Sequence, residues 1–240
     1  IETEKNLGDE KLRVALIADT HIGTTYDGEG FARHLGEIQK TDPDLLVISG
    51  DFVDDDTKKT DMLRSCEALK NFRSKYGVYY AYGNHDRGCS DSIEYTASEL
   101  EKALRDNGVH VLKDDTELVD GRFYVAGRCD RSFGTRKSME ELLSGIEPDR
   151  YIIVIDHQPN DYENEANSAA DLVLSGHTHG GQLIPITYVG ELFHILDSTY
   201  GHENRKGTDF VVTSGISDWE ILFKTGTRSE YVIIDVTQDG

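Results

Sequence analysis

Five apolar runs in this chain each end in residues that can bind a metal ion. Leu12–Ala18 runs into Asp19-Thr20-His21, Leu45–Ser49 into Gly50-Asp51, and Val78–Tyr82 into Gly83-Asn84-His85-Asp86. Tyr151–Ile155 runs into Asp156-His157, and Leu172–Ser175 into Gly176-His177-Thr178-His179. Strands that end together bring their C-terminal tips to one edge, where open α/β folds place their ligands. Such an edge gathers two aspartates, one asparagine and four or five histidines. That set is enough for two metal ions, and two ions point to hydrolysis of a phosphate ester.

The five segments differ in specificity. Residues i and i+2 of an extended segment point the same way, so Asp19 and His21 can reach one ion. Alone, the pair says little, because an Asp at a strand end is often a cap or turn former. Gly50-Asp51 says less still, and His157 by itself reads as a core histidine. Gly83-Asn84-His85-Asp86 is sharper: Asn offers a neutral oxygen, His an acid or base, and Asp a partner to orient the imidazole. Gly176-His177-Thr178-His179-Gly180-Gly181 is the strongest signal, two imidazoles bracketed by glycines that allow close backbone approach.

The intervening segments supply the elements that must position these residues. Phe31, Leu35 and Ile38 have helical spacing before Asp42-Pro43; Leu63, Cys66 and Leu69 mark a second helix closed at Gly77. Ile93, Ala97, Leu100 and Leu104 mark a third, stopped by Asn107-Gly108. This alternation reads as βαβ units. Short strands follow at Val109–Leu112, Glu117–Val119 and Arg122–Gly127, with a hairpin at Asp120-Gly121. Met139, Leu142 and Leu143 suggest a short helix, and Phe210–Thr213 and Tyr231–Val236 two more strands. With no linker or low-complexity tract, residues 1–240 read as one catalytic domain of two packed sheets with helices outside.

The balance of the chain narrows its partners. A net charge of −20 makes a nucleic-acid polymer an unexpected substrate. Cys66, Cys89 and Cys129 have no metal-type spacing and read as free thiols. The chain begins at Ile1 rather than Met, which leaves room for an upstream targeting or anchor segment.

Taken together, Asp19-x-His21, Gly50-Asp51, Gly83-Asn84-His85-Asp86, His157 and Gly176-His177-x-His179 resemble the calcineurin-like metallophosphoesterase superfamily. The extended Gly176-His177-Thr178-His179-Gly180-Gly181-Gln182 is similar to a bacterial branch with many membrane-associated or exported members, as is the tail from Thr213 to Glu230. The resemblance implies an α/β fold, a four-layer α/β/β/α sandwich with two mixed sheets. It also implies that Asp19, His21, Asp51 and His179 hold one metal, and Asp51, Asn84, His157 and His177 the other. The mixed nitrogen and oxygen set suits Mn, Fe, Zn, Ni or Co rather than Ca.

The expected reaction is attack of a metal-bridging hydroxide on phosphorus. His85 is expected to stabilise the phosphoryl group or protonate the leaving alkoxide, and Asp86 to hold the His85 ring. Protein phosphatases of this superfamily carry arginines near the second and third motifs, whereas the second motif here reads Gly50-Asp51-Phe52-Val53-Asp54-Asp55-Asp56. A phosphodiester monoanion needs less positive charge than a monoester, so a phosphodiesterase is favoured over a phosphomonoesterase or nucleotidase. A small lipid- or nucleotide-linked phosphoester, membrane association or export, or else a cytoplasmic location, complete the expectations. A metal-holding scaffold without catalysis is the contrasting class. Arg87, Arg128 and Arg131 read as surface arginines, with substrate contact as the alternative; His34 reads as a solvated helix residue, and His202 as a residue of the 201–207 loop, with a place at the border of the site as the alternative. Trp219, Ile221, Leu222 and Phe223 read as core, with an apolar lip for a lipid as the alternative.

Overall fold

A computed structural model describes residues 1–7, 11–87, 94–181, 196–218 and 224–238. Two six-stranded sheets form its centre. The first runs β1 (Glu2–Thr3), β12 (Val232–Gln238), β2 (Lys11–Ile17), β3 (Leu45–Ser49), β4 (Val78–Ala81), β5 (Val109–Leu112). The second runs β10 (Gly201–Arg205), β11 (Thr208–Val212), β9 (Leu172–Ser175), β8 (Tyr151–Ile155), β7 (Phe123–Gly127), β6 (Asp115–Val119). Strands β2 to β5 are parallel, as are β7, β8, β9 and β11. Antiparallel pairs β12·β2, β6·β7 and β10·β11 make both sheets mixed.

Strand alternation builds the layers. In β2, Ala15 and Ile17 face a core shared with α1 (Gly28–Gln39), α2 (Lys59–Lys70) and α3 (Ala97–Asp106). Val14 and Leu16 face a second core between the sheets, with Val47, Tyr79, Ile153 and Leu174. A third core packs Ile152, Val154 and Phe210 against α4 (Met139–Leu142) and α5 (Tyr162–Ala166). The result is the expected α/β/β/α sandwich. Central strands covered on both faces carry continuous apolar runs, which is why five of them are visible in the sequence.

Several local readings are corrected. Helix α2 ends at its C-cap Asn71, not at Gly77, and its buried face is Met62, Cys66 and Leu69, while Leu63 is 47% exposed. His202 lies on edge strand β10, its Nε2 2.7 Å from Asp209 Oδ1, rather than in a loop. Arg128 is buried, where a surface position was expected. Its guanidinium stands 3.0 Å from Asp156 and 2.6 Å from Asp161. Cys66 and Cys129 are free and buried. Cys89, Ile93, Gln182, His194 and the segment Trp219–Phe223 lie outside the described residues.

Candidate metal centre

The C-terminal tips of β2, β3 and β4 meet those of β8 and β9, and all seven expected ligands lie there. The loops after β2 and β3 run side by side: Asp19 N donates to Gly50 O at 3.1 Å and His21 N to Asp51 O at 3.1 Å. Five of the seven expected ligands have positive φ: Asp19 (52°), His21 (39°), Asp51 (50°), His177 (70°) and His179 (50°). Non-glycine residues hold that conformation only where the surroundings over-determine it, and such strain gathers at functional sites. Glycines supply the room. A Cβ on Gly50 would stand 2.6 Å from His157 Nδ1, and one on Gly215 2.7 Å from Asp19 Cβ.

Among the described residues, the candidate ligand atoms form three groups. Asp19, His21 and His179 make the first, Asp51, His157 and His177 the second, and His21, Asp54 and His85 the third, which shares His21 with the first. The Nε2 atoms of His21 and His179 face each other at 3.2 Å, and His179 Nε2 is 3.6 Å from Asp19 Oδ1. Asp51 Oδ2 is 3.0 Å from His157 Nε2 and 3.9 Å from His21 Nε2, between the first two groups. His157 Nδ1 lies 2.8 Å from the Ser49 carbonyl. A carbonyl only accepts, so Nδ1 carries a proton, and Nε2 is the nitrogen that faces Asp51 and could take a metal. His157 Nε2 and Asn84 Oδ1 are buried without a hydrogen-bond partner. Opposed imidazole nitrogens and orphaned buried acceptors are what a cation would satisfy, so the residues fit divalent metal ions.

Electrostatics sharpen the picture. Burial pushes Asp19 up to about 6 and His177 down to about 4. Burial also opposes ionisation of Asp51, but His157, His21 and His85 overcome it and hold its carboxyl well below the usual range. Asp19, His21, Asp51, His157 and His179 are buried, whereas Asn84, His85 and His177 are half-buried and mark the open side.

Asp54 is the site residue that sequence reasoning missed. Its Oδ2 lies 2.9 Å from His21 Nδ1 and its Oδ1 3.0 Å from His85 Nδ1. Burial disfavours the imidazolium of His85, yet the bond to Asp54 and the charges of Asp51, Asp54 and Asp86 raise it to about 9. Asp86, expected to hold the His85 ring, is spent on the backbone. It accepts from Asp51 N (2.8 Å), Phe52 N (2.8 Å), Val53 N (3.2 Å) and Gly83 N (2.7 Å). The only signal for Asp54 is its place three residues after Asp51, inside an acidic run that reads as solvated surface. Arg87 and Arg131 are exposed, as expected.

Comparison with known proteins adds to this geometry. The profile of the calcineurin-like phosphoesterases matches residues 12–181. A transmembrane protein with a metallophosphoesterase domain from Danio rerio is 30% identical over 95% of this chain, which spans 53% of that protein. An uncharacterized metallophosphoesterase from Aquifex aeolicus is 30% identical over 100% of this chain and 90% of its own length. A solved structure from Thermus thermophilus superposes with a TM-score of 0.54 at 12% identity, covering 86% of this chain and 91% of that one. A dimetal phosphatase from Danio rerio gives 0.51 at 9% identity, covering 88% and 90%.

Proposed function

The chain belongs to the calcineurin-like phosphoesterase family, and from that premise we propose that it is a dinuclear metal-dependent phosphodiesterase. Asp19, His21, Asp51 and His179 would hold one ion; Asp51, Asn84, His157 and His177 would hold the other, with Asp51 shared. Bound there, the ions would supply Lewis acidity to activate water and offset charge on the phosphoryl oxygens. The chain's own residues do the rest. Ser49 and Asp54 fix the tautomers of His157 and His21. His85, on the open side and carrying a proton held by Asp54, donates that proton to the departing alkoxide. Asp86 sets the 51–53 loop and so the position of Asp51.

The observation that carries the diester preference is where the neighbouring arginines point. Arg87 donates to Ser132 O at 3.0 Å, while Arg128 and Arg136 are both 3.0 Å from Asp156. None of these contacts is to the ligand cluster. None of these three guanidinium groups is free to clamp a monoester dianion at the ligand cluster, and a diester monoanion does not need such a clamp. Rates on bis(p-nitrophenyl) phosphate and p-nitrophenyl phosphate, measured side by side with Mn²⁺, test this. A faster diester supports the reading, and a faster monoester replaces it with a phosphomonoesterase.

Among the described residues, no helix is long and apolar enough to cross a membrane. The transmembrane relative from Danio rerio supports a place at or near a membrane for this chain.

A further inference from the structure

Cationic side chains gather about the turn that carries His85. His85 begins a single 3₁₀ turn that ends at Arg87. The exposed Arg87 guanidinium donates to Ser132 O at 3.0 Å, within the turn Arg131–Phe133 that follows β7. That turn is pinned at its root by Asp130, which is fully buried. Asp130 Oδ1 accepts from Ser132 N at 2.8 Å and from Gln158 Nε2 at 3.1 Å. Gln158 directly follows His157 in the chain. The turn is therefore wedged between the loop carrying His85 and the loop carrying His157, which come from different sheets. Its first residue, Arg131, is exposed.

Phe133 gathers two cations. Arg87 Cζ and Lys113 Nζ each lie 5.9 Å from its ring centre, and Lys113 Nζ is 5.5 Å from the Tyr82 ring. Tyr82 and Phe133 meet edge to face at 5.6 Å. The aromatic pair thus fixes both cations through their π faces. Arg87 is held by a backbone carbonyl, and Lys113 also feels the carboxylate of Glu101, which it helps keep ionised. Arg87 and Lys113 share the Phe133 ring and Arg131 belongs to the same turn, so an anion bound beside them is attracted by each charge. In a chain of net charge −20, such a cluster is also a local exception.

We propose that Arg87, Arg131 and Lys113 form an anion subsite for a second negatively charged group of the substrate, beyond the phosphoryl group that reacts. This rests on the phosphodiesterase reading of the metal centre. A phosphate or a carboxylate on the far arm of the ester fits, since guanidinium groups bind either through paired N–H donors. The reacting phosphorus meets no arginine; the arginines meet what is attached to it.

Two measurements test the subsite. Calorimetry of inorganic pyrophosphate with the metal-free wild type and with the R87A/R131A double variant needs no catalysis. Pyrophosphate is expected to bind the wild type and to bind the double variant about tenfold more weakly. Equal affinity for both proteins, or no binding to the wild type, overturns the proposal. The second measurement compares p-nitrophenyl phenyl phosphate with p-nitrophenyl 3-carboxyphenyl phosphate on the Mn²⁺-loaded protein. The carboxylate is expected to lower KM about tenfold in the wild type, with the ratio collapsing toward one in Arg131→Ala. A wild-type KM ratio near one, or a ratio that survives in the variant, argues against it. Hydrolysis of neither ester removes the phosphodiesterase reading, and the calorimetry still decides the subsite.

Discussion

The carboxylate of Asp54 ties His21 to His85, with one oxygen 2.9 Å from the first ring and the other 3.0 Å from the second. An expected metal ligand and the expected proton donor therefore share one orienting group. Asp54→Asn can satisfy one ring as acceptor but meets the other with an N–H. We expect kcat on a diester to fall about 10²-fold, in the range of a lost general acid. The double variant with His85→Ala should be little worse than either single one, because the two act as a unit. Independent, multiplying losses would separate Asp54 from His85.

Asp86 predicts the opposite balance. Its carboxylate accepts four backbone N–H groups that hold the Asp51 loop against Gly83. Asp86→Ala leaves those donors buried and unpaired, at a cost of about 3 kcal/mol. For a chain of this size, Tm should fall by roughly 6–12 °C. A variant with unchanged Tm and a large loss of kcat would return Asp86 to the catalytic role expected from the sequence.

Gly215 backs Asp19 with φ +81°, and an added Cβ would lie 2.7 Å from the Asp19 Cβ. Gly215→Ala should destabilise the fold by about 1–3 kcal/mol. It should also weaken one of the two metal equivalents more than the other, since only Asp19 is displaced. Calorimetric metal titration reads this directly, and equal weakening of both equivalents would be against it.

A buried charge cluster behind the second sheet sets a pH dependence. Arg128 and Arg136 serve Asp156 and Asp161, and Glu165 Oε1 is left 3.8 Å from Arg128. Burial and the charge of Asp156 raise Glu165 well above the usual carboxyl value, against the pull of Arg128. The native state therefore binds this proton more tightly than the unfolded chain, whose Glu titrates near about 4.3. The stability it contributes is fully present below that pH and is lost as pH rises through the folded value. Glu165→Gln removes the effect. Its Tm relative to wild type should rise between pH 5 and pH 8, whereas parallel curves would contradict the assignment.

How much of this was legible in the sequence depended on what each residue touches. The candidate ligands could be read because each follows a strand buried on both faces, so an apolar run announces it. Asp54 could not, because its meaning lies in meeting His21 and His85, which are 33 and 31 residues away. Arg128 looked like surface because a lone charge after a strand usually is, and the acids that bury it come from the loop after β8 and from α5. Strand β10 reads as a loop because an edge strand of Gly-His-Glu-Asn-Arg shows no apolar face. Leu63 reads with Cys66 and Leu69 as one buried face of α2, but that face is completed by Met62, four residues before Cys66, and Leu63 turns outward.

The central claim is two ions held with Asp51 between them. Native mass spectrometry of the Mn²⁺-loaded chain, read beside its diesterase rate, tests it most directly. We expect two ions on the wild type, with activity appearing as the second binds. We expect Asp51→Asn to retain at most one weakly held ion and to lose activity. Full activity with a single ion, or two tightly held ions in Asp51→Asn, would contradict the shared-carboxylate centre.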